Sequence, residues 1–523
     1  MCALSVGQLL GRGSFADDNP SIRQPAVAGQ FYPAQADELR QMVDGFLSQA
    51  AVPDLQGRIV AIVAPHAGYV YSGKVAAQSF ALLRSRKIER VVVIAPSHFE
   101  AFPFVSVYNG DAYATPLGNV PVDKDFASKL AKLNPLIQLS TRGHIPAHQQ
   151  GEHAVEVQLP FLQRVLGEFR LVPIVMGDQN YEIERALGVS LAKMVKGTDT
   201  LIVVSSDLSH YHPYDEAVTI DHKTLKAIEE WDYLSMARNF ERRVWEACGG
   251  GPIVAAMIAA ERLGANDATL LRYANSGDTT GDHSRVVGYG AVAFSKSHDA
   301  ARAEQSFSLS AQEKEQLLQI AKKSVEMAVK EGKLYECSAG GLEALMQERG
   351  AFVTLTSNGQ LRGCIGYVAA MKPLCHTVRD VAALAAIRDQ RFPPVSAREL
   401  DQLEYEVSVL SPLRRVMDIQ QIRVGRDGLL IKKGDIEGLL LPQVAAEQHW
   451  DRITFLEQTC RKAGLPPHAW QDKDTDIFRF SALVFGEHRP VEAVTPDRIW
   501  LPKPTSWPVP PGQDSRLPSP GPS

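Results

Sequence analysis

The sequence has few cysteines, and none of them form a close pair. The six cysteines are scattered over 523 residues without a CxxC motif. This spacing argues against a zinc ribbon and against a framework of disulfide bonds. We therefore expect a protein of the reducing cytoplasm.

The sequence also lacks long apolar runs and an excess of positive charge. No apolar run approaches the roughly 20 residues that a helix needs to cross a bilayer. The formal net charge is -5 at pH 7, so no basic field attracts nucleic acid. We expect no membrane span and no nucleic-acid partner.

The length indicates about two to four domains, and the composition changes along the chain mark their limits. A short apolar and polar stretch opens the chain, a charged linker divides it, and eight prolines crowd its last 23 residues. The predicted organisation is a disordered lead (1–20), an α/β domain (21–297), a linker (298–307), a smaller α+β domain (308–500) and a disordered proline-rich tail (501–523).

The first domain contains apolar runs that end at polar residues. Runs at 59–64, 91–95, 171–176 and 201–204 read as strands buried on both faces, with predicted helices between them. This alternation predicts a mostly parallel sheet with helices on both faces. After the first strand, Gly68, Ser72 and Gly73 predict a sharp turn before a helix at 74–83.

Three candidate metal ligands, His66, His98 and Cys248, lie near predicted strand ends or a helix start. The carboxyl ends of parallel strands converge on one crevice, where imidazoles and a soft third ligand can hold a metal ion. Cys248 precedes a predicted helix at 252–263, whose amino end would favour the thiolate. The alternative for Cys248 is a small packed hydrophobe.

Glu152 and His153 open another predicted helix. Helix capping explains Glu152 without catalysis. His153 and Glu156 share a helix face at a spacing of three residues, so they can instead support ligands through hydrogen bonds.

Several further polar residues lie in predicted loops. Asn275 and Asp278 either line a pocket or form an ordinary turn. His144 and His148 are expected at the surface.

The second domain has its own folding signals. Ser310 and Glu313 predict a capping box before a helix that reaches residue 331, and the pair Asn358-Gly359 predicts a tight hairpin. The pair Asp427-Gly428 predicts another turn. Mixed hairpins and helices are typical of an α+β domain.

The motif LRGCIGY contains the candidate site of the second domain, formed by Arg362, Gly363, Cys364 and Gly366. Arg362 can lower the pKa of Cys364 or bind an anion. The alternative is that the glycines permit tight packing and that Cys364 fills core space.

The first domain resembles the Memo family, also called AmmeMemoRadiSam system protein B, over about residues 23–296. The motifs that carry the resemblance are APHAGYVYSG (64–73), APSHF (95–99), EHAVEVQLPF (152–161), SSDLSHY (205–211), CGGGP (248–252) and YANSGD (273–278).

The resemblance implies the fold of class III extradiol dioxygenases, which hold non-haem Fe(II) with two histidines and a carboxylate. His66, His98 and Cys248 match the metal-site residues of the Memo family, and Asp207 and His210 match polar residues of the same pocket. A cysteine thus stands where the dioxygenases use a carboxylate.

The second domain resembles the AMMECR family, AmmeMemoRadiSam system protein A, over about residues 308–490. The motifs are LRGCIGY, the stretch 388–413 and LLPQVAAEQHWD. The resemblance implies a site around residues 362–366 and a radical SAM enzyme as partner. The chain has no CxxxCxxC motif, so that partner would be a separate protein.

The leading hypothesis is a metal-dependent redox or hydrolytic enzyme, with Fe(II) as the expected ion and zinc or copper as alternatives. In it His210, oriented by Asp207, would move protons for a small-molecule or peptide substrate. A rival hypothesis is a metal-free thiol hydrolase in which His210 activates Cys248. A third is a non-catalytic binding module whose proline-rich tail recruits partners.

Overall fold

The computed structural model describes residues 21–51, 53, 55, 57–145, 151–296 and 308–486. The chain divides into two compact units, residues 1–304 and 305–523, here called the first and second units. The predicted lead, linker and tail lie outside the described residues. Within the described ranges, no helix combines the length and apolar character needed to cross a membrane.

The first unit is an α/β domain. Its strands are β1 (Ile22–Arg23), β2 (Arg58–Ala64), β3 (Arg90–Pro96), β4 (Val105–Val107), β5 (Ala112–Thr115), β6 (Gly118–Pro121), β7 (Ile137–Leu139), β8 (Arg170–Met176), β9 (Thr200–Ser205), β10 (His210–His212), β11 (Asp267–Asn275) and β12 (Val286–Lys296). Its helices are α1 (Ala36–Ser48), α2 (Tyr69–Ala81), α3 (Lys124–Ala131), α4 (Leu159–Leu166), α5 (Tyr181–Val195), α6 (Tyr214–Glu229), α7 (Tyr233–Glu241), α8 (Gly250–Arg262) and α9 (Gly277–Thr280).

The main sheet of this unit is mixed, with a parallel centre. Its strand order is β10-β12-β2-β9-β3-β8-β4-β7, and β11 pairs with β12. Strands β2, β9, β3 and β8 are parallel, whereas β12 and β4 join them antiparallel. The prediction of a mostly parallel sheet therefore holds for the centre only, because the antiparallel strands lie on both sides of it.

Helices cover both faces of the central strands. After its first residue every residue of β2 is buried, as expected for a strand without a solvent face. Alternate residues of β3, Val91, Val93 and Ala95, pack in one core with residues of α1, α2 and α4. Helix α8 contacts β2, β3 and β9 and packs on α5.

Helix α2 begins at Tyr69, five residues before the predicted start. Gly68 is the residue before the helix, whereas Ser72 and Gly73 lie inside it rather than in a turn. A Cβ atom on Gly73 would lie 2.5 Å from the ring of Phe46. Gly73 therefore serves the packing of α2 on α1, and the prediction of a sharp turn that includes Ser72 and Gly73 was wrong.

The second unit is an α+β domain with an antiparallel sheet of strand order β14-β13-β15-β19-β17-β18, with β16 on β19. Its strands are β13 (Ala351–Ser357), β14 (Gln360–Tyr367), β15 (Leu403–Leu410), β16 (Arg414–Arg415), β17 (Asp427–Lys433), β18 (Ile436–Leu440) and β19 (Thr475–Gly486). Its helices are α10 (Ala311–Glu331), α11 (Glu343–Met346), α12 (Leu374–Ile387), α13 (Pro442–Glu447) and α14 (Arg452–Lys462).

Local signals of the second unit are largely realised. The capping box of Ser310 and Glu313 is present, and Asn358 and Gly359 have positive φ angles of 51° and 74° between β13 and β14. The predicted turn at Asp427-Gly428 was wrong, because both residues belong to β17.

Candidate metal centre

The central strands bring three segments to one edge of the sheet. His66 follows the end of β2, His98 follows β3, and Asp207 follows β9. In the sheet β9 lies between β2 and β3, and all three are parallel. Their carboxyl ends therefore meet, as the sequence predicted.

Cys248 reaches the same edge because the amino end of α8 packs against the end of β9. The backbone N–H of Gly249 donates to Ser206 Oγ at 3.0 Å. A Cβ atom on Gly249 would lie 2.6 Å from the carbonyl oxygen of Ser205. The absence of a side chain at position 249 is thus what permits this approach.

His66, His98 and Cys248 form one group, here called the ligand cluster. One donor atom from each side chain lies within 4.8 Å of the other two. Cys248 Sγ lies 3.1 Å from His66 Nε2, and the rings of His66 and His98 meet edge to face with centroids 5.1 Å apart. The structure thus brings together the three residues that the sequence singled out as ligands.

A hydrogen bond at Nδ1, on the side away from the cluster, orients the His66 ring. Its Nδ1 lies 2.9 Å from Ser205 Oγ, and this hydroxyl donates to the carbonyl oxygen of Ala154 at 2.6 Å. Gln158 Nε2 donates to the same hydroxyl at 2.7 Å. With Nδ1 engaged, Nε2 is the nitrogen that faces the cluster.

Ser205 and Gln158 were not identified as site residues from the sequence. Gln158 is 1% exposed and sits among the apolar residues of EHAVEVQLPF. A buried amide in such a stretch needs polar partners. The glutamine among apolar residues was therefore the sequence signal that could have identified Gln158.

Glu152 holds His98 through both ring and backbone. Glu152 Oε1 lies 3.0 Å from His98 Nδ1, and Oε2 accepts the backbone N–H of His98 at 2.7 Å. The carboxylate also accepts the backbone N–H groups of His153 and Ala154 at 2.8 and 2.9 Å. Burial opposes ionisation of Glu152, but the hydrogen bonds and charge of His98 together with the charge of His153 outweigh it, and the pKa falls to about 2.

His153 stacks on His98 with centroids 4.9 Å apart. Burial lowers the pKa of His153 to about 4, helped by the charge of His66. His98, Glu152 and His153 also form a group of potential metal donors within 4.8 Å of one another. A neutral imidazole therefore lies beside the ligand cluster.

Asp207 contacts His66 rather than His210. Asp207 Oδ1 accepts the backbone N–H of His66 at 2.8 Å, and the Asp207 N–H donates to Cys248 Sγ at 3.2 Å. The ring of His210 is held by the carbonyl oxygen of Leu208, 2.9 Å from Nδ1. The prediction that Asp207 orients His210 was therefore wrong, since a backbone carbonyl takes that position.

The environment of Cys248 favours the thiol. Burial raises the pKa of Cys248 far above that of a free thiol, and the Asp207 carboxylate raises it further. The expected thiolate stabilisation by the amino end of α8 does not overcome these two effects. A cation at the cluster would be needed to favour the thiolate.

Asn275 and Asp278 form a local turn. Asp278 accepts the Asn275 N–H at 2.8 Å and the Tyr214 hydroxyl at 2.7 Å. Asn275 Oδ1 accepts the N–H of Gly277 at 2.9 Å. These bonds agree with the turn alternative left open by the sequence, although they do not engage the buried Nδ2 of Asn275.

His144 is buried, at 1% exposure, so its predicted surface position was wrong. Its Nε2 lies 3.1 Å from the Ser106 carbonyl oxygen, and its Nδ1 lies 2.6 Å from the Tyr113 hydroxyl. Both nitrogens of a neutral ring are thus satisfied. His148 lies outside the described residues.

Replacing His144 with glutamine should flatten the pH dependence of stability. Burial lowers the pKa of His144 to about 3 from 6.5, so the unfolded chain takes up a proton first as the pH falls. Wild type should therefore lose about 2 kcal/mol more than His144→Gln between pH 7 and pH 5. Urea unfolding at both pH values tests this, with the exposed His222→Gln as control; equal losses would contradict it.

The second-unit site is built differently from the prediction. Arg362 Nε donates to Glu399 at 2.8 Å and Nη1 to the Pro393 carbonyl at 2.9 Å, so Arg362 is occupied by these partners. Burial raises the pKa of Cys364, contrary to the expected lowering by Arg362. The guanidinium beside Cys364 is that of Arg391, which donates to the Cys364 carbonyl oxygen at 3.0 Å.

The two glycines around Cys364 permit close packing. A Cβ atom on Gly363 would lie 2.2 Å from the Ala385 carbonyl oxygen, and one on Gly366 would lie 2.2 Å from the Phe352 ring. Cys364 itself is 5% exposed. These contacts favour the packing alternative for the LRGCIGY motif.

Comparison with known proteins covers both units. The family model for Memo-like proteins matches residues 23–293, and the AMMECR1 model matches residues 318–485. A MEMO1 family protein of Methanopyrus kandleri is 38% identical over 283 residues, 52% of this chain and 98% of the relative. One from Aquifex aeolicus is 39% identical over 274 residues, 52% of this chain and 99% of the relative.

A solved structure also resembles part of the chain. It is that of an uncharacterized protein from Pyrococcus horikoshii, with 40% identity, coverage of 35% of this chain and 96% of that chain, and a TM-score of 0.34. The chain belongs to the Memo-like protein family and carries an AMMECR1 domain after its Memo domain.

Proposed function

We propose that the first unit is a metal-dependent enzyme of redox or hydrolytic type, with His66, His98 and Cys248 as ligands and Fe(II) as the ion. The observation that carries the proposal is the convergence of three donor atoms within 4.8 Å at the carboxyl ends of the parallel central strands. Ligand sites of α/β proteins occur at this edge.

The donor set fits a bound ion. Both imidazoles have Nδ1 engaged by a partner, which fixes the tautomer and leaves Nε2 for a metal. A carboxylate behind a histidine ligand, as Glu152 stands behind His98, is the usual arrangement at metal sites. Thiolate and imidazole together suit iron, zinc and copper.

The choice of iron rests on the dioxygenase-like fold that the Memo resemblance implies. A bound ion would supply Lewis acidity and, if iron, one-electron chemistry. The chain's own contribution is proton transfer at His210 Nε2, because Nδ1 is held by the Leu208 carbonyl oxygen. Asp207 fixes the backbone of His66 and thereby the position of a ligand.

A separate radical SAM enzyme as partner, a small-molecule or peptide substrate and a cytoplasmic location belong to the same proposal. The support for the location is that the cysteines of the described residues are free thiols. The second unit would bind or modify the substrate of the first.

Metal analysis of anaerobically purified protein tests the proposal. Loaded with Fe(II), His66→Ala should lose one equivalent of iron relative to wild type. His222→Ala should keep it, because His222 is exposed, lies outside the ligand cluster and has its Nδ1 held by the Val218 carbonyl of its own helix. Absence of iron in wild type, or full occupancy in His66→Ala, would refute the metal site.

A thiol hydrolase is the second candidate, favoured by the 3.1 Å separation of Cys248 Sγ and His66 Nε2. The base in this mechanism would be His66 rather than His210, the residue named from the sequence. Chelator-treated protein separates the two candidates. The metal proposal expects slow alkylation of the protonated Cys248 by iodoacetamide, no faster than that of Cys337, which is half-buried to the same degree; faster labelling of Cys248 would favour the hydrolase.

A further inference from the structure

A second group of metal-ligating side chains lies in the second unit, outside the sites discussed so far. Cys337, Cys375 and His376 each offer one donor atom, and these atoms lie within 4.8 Å of one another. Cys375 and His376 occupy the first turn of α12, a helix of 14 residues. Cys337 lies in the irregular segment between α10 and α11.

A hydrogen bond joins the Cys337 side chain to the start of α12, because Cys337 Sγ donates to the Cys375 carbonyl oxygen at 3.5 Å. The same end of α12 is also tied to the residue after α11, since the Leu374 N–H donates to the Gln347 carbonyl oxygen at 2.8 Å. Cys375 is 1% exposed, whereas Cys337 and His376 are half-buried. The donors are therefore fixed in place yet can be reached from solvent on one side.

We propose that Cys337, Cys375 and His376 bind Zn²⁺, with the fourth coordination position open to solvent. Two thiolates and one imidazole are a known zinc donor set, and zinc with three protein ligands keeps an exchangeable position. Two thiolates also neutralise the charge of Zn²⁺. The bound ion would tie the irregular segment 332–342 to α12.

The charges around the group are compatible with this site. Arg379 and Lys372 lie nearby, and Asp380 pairs with both, at 2.7 and 2.6 Å. The Asp380 carboxylate therefore offsets part of the positive charge that would otherwise disfavour a cation at this group.

Equilibrium dialysis of the full chain against Zn²⁺, with a non-chelating reductant, tests the proposal. Cys337→Ser and His376→Gln should each lower the amount of bound zinc by one equivalent per chain, or weaken the zinc affinity by about tenfold or more. Cys364→Ser and Cys460→Ser are the matched controls, because both are buried free thiols of the same unit, and they should bind zinc as wild type does. The test uses Cys337→Ser and His376→Gln because both residues are half-buried, whereas Cys375→Ser changes a core residue and can fail to fold.

Hydrogen exchange provides a second readout. Zinc should slow exchange of the 332–342 segment in wild type and not in Cys337→Ser. Unchanged zinc stoichiometry and affinity in both Cys337→Ser and His376→Gln would overturn the proposal. A Cys337–Cys375 disulfide formed in air, together with no zinc bound by the reduced protein at this group, would overturn it in favour of a redox dithiol.

Discussion

Replacing Glu156 with alanine should lower the free energy of unfolding of the first unit by about 3–5 kcal/mol, because the buried Arg23 guanidinium loses its counter-charge. The side chains of Arg23 and Glu156 are 1% and 0% exposed. The same carboxylate accepts the N–H groups of Ala26 and Val27 at 2.7 and 3.0 Å and the hydroxyl of Tyr32. Removing it orphans several buried donors at once.

Hydrogen exchange in increasing urea, followed on peptides from 57–145, would report the stability of the first unit alone. Glu168→Ala is the matched control: this exposed glutamate follows α4, and its loss should cost no more than about 0.5 kcal/mol. The double variant Arg23→Met/Glu156→Met should recover part of the loss, since no charge is left unpaired. Equal stability of Glu156→Ala and Glu168→Ala would show that the ion pair is not structural.

Replacing Glu152 with alanine should weaken Fe(II) binding by about 10- to 100-fold, the usual cost of losing the partner of a histidine ligand. Glu152 bonds both the ring and the backbone of His98, so its removal frees the ring to rotate. His66 and Cys248 keep their own partners, so binding should be weakened rather than abolished. The Fe(II) affinity of Glu152→Gln should fall between those of wild type and Glu152→Ala, because glutamine retains a hydrogen-bond acceptor but not the charge.

An anaerobic Fe(II) titration measures this effect. Glu246→Ala is the control, since Glu246 also pairs with a histidine, His212 at 2.9 Å, that lies outside the ligand cluster. Its affinity for Fe(II) should match that of wild type. If Glu152→Ala bound iron as tightly as wild type, Glu152 would not position His98 for metal binding.

The predictable part of the site comes from strand ends. Continuous apolar runs indicate buried strands, and a parallel centre brings their carboxyl ends together, so His66 and His98 could be placed in one crevice from sequence. The capping box at Ser310 and the hairpin at Asn358-Gly359 were equally local signals. Each depends on residues within three or four positions of one another.

The features that could not be predicted depend on contacts between residues far apart in the sequence. His144 is buried because Tyr113 and Ser106, some 31 and 38 residues away, satisfy its ring. Glu156 shares a helical face with His153 in sequence, yet it bonds Arg23, which lies 133 residues earlier. The pair Asp427-Gly428 has turn composition, but a Cβ on Gly428 would lie 2.3 Å from Phe480 on β19, so the glycine serves sheet packing.

The separation of the ligands along the chain has a consequence for biogenesis. His66 and Cys248 meet across 182 residues, a contact of high sequence separation that forms late, after the entropy of closing a long loop has been lost. An ion bound as proposed would therefore not nucleate folding of the first unit. It would bind the finished domain and stabilise it by mass action, so a cell short of metal should accumulate folded, unloaded protein rather than unfolded chains.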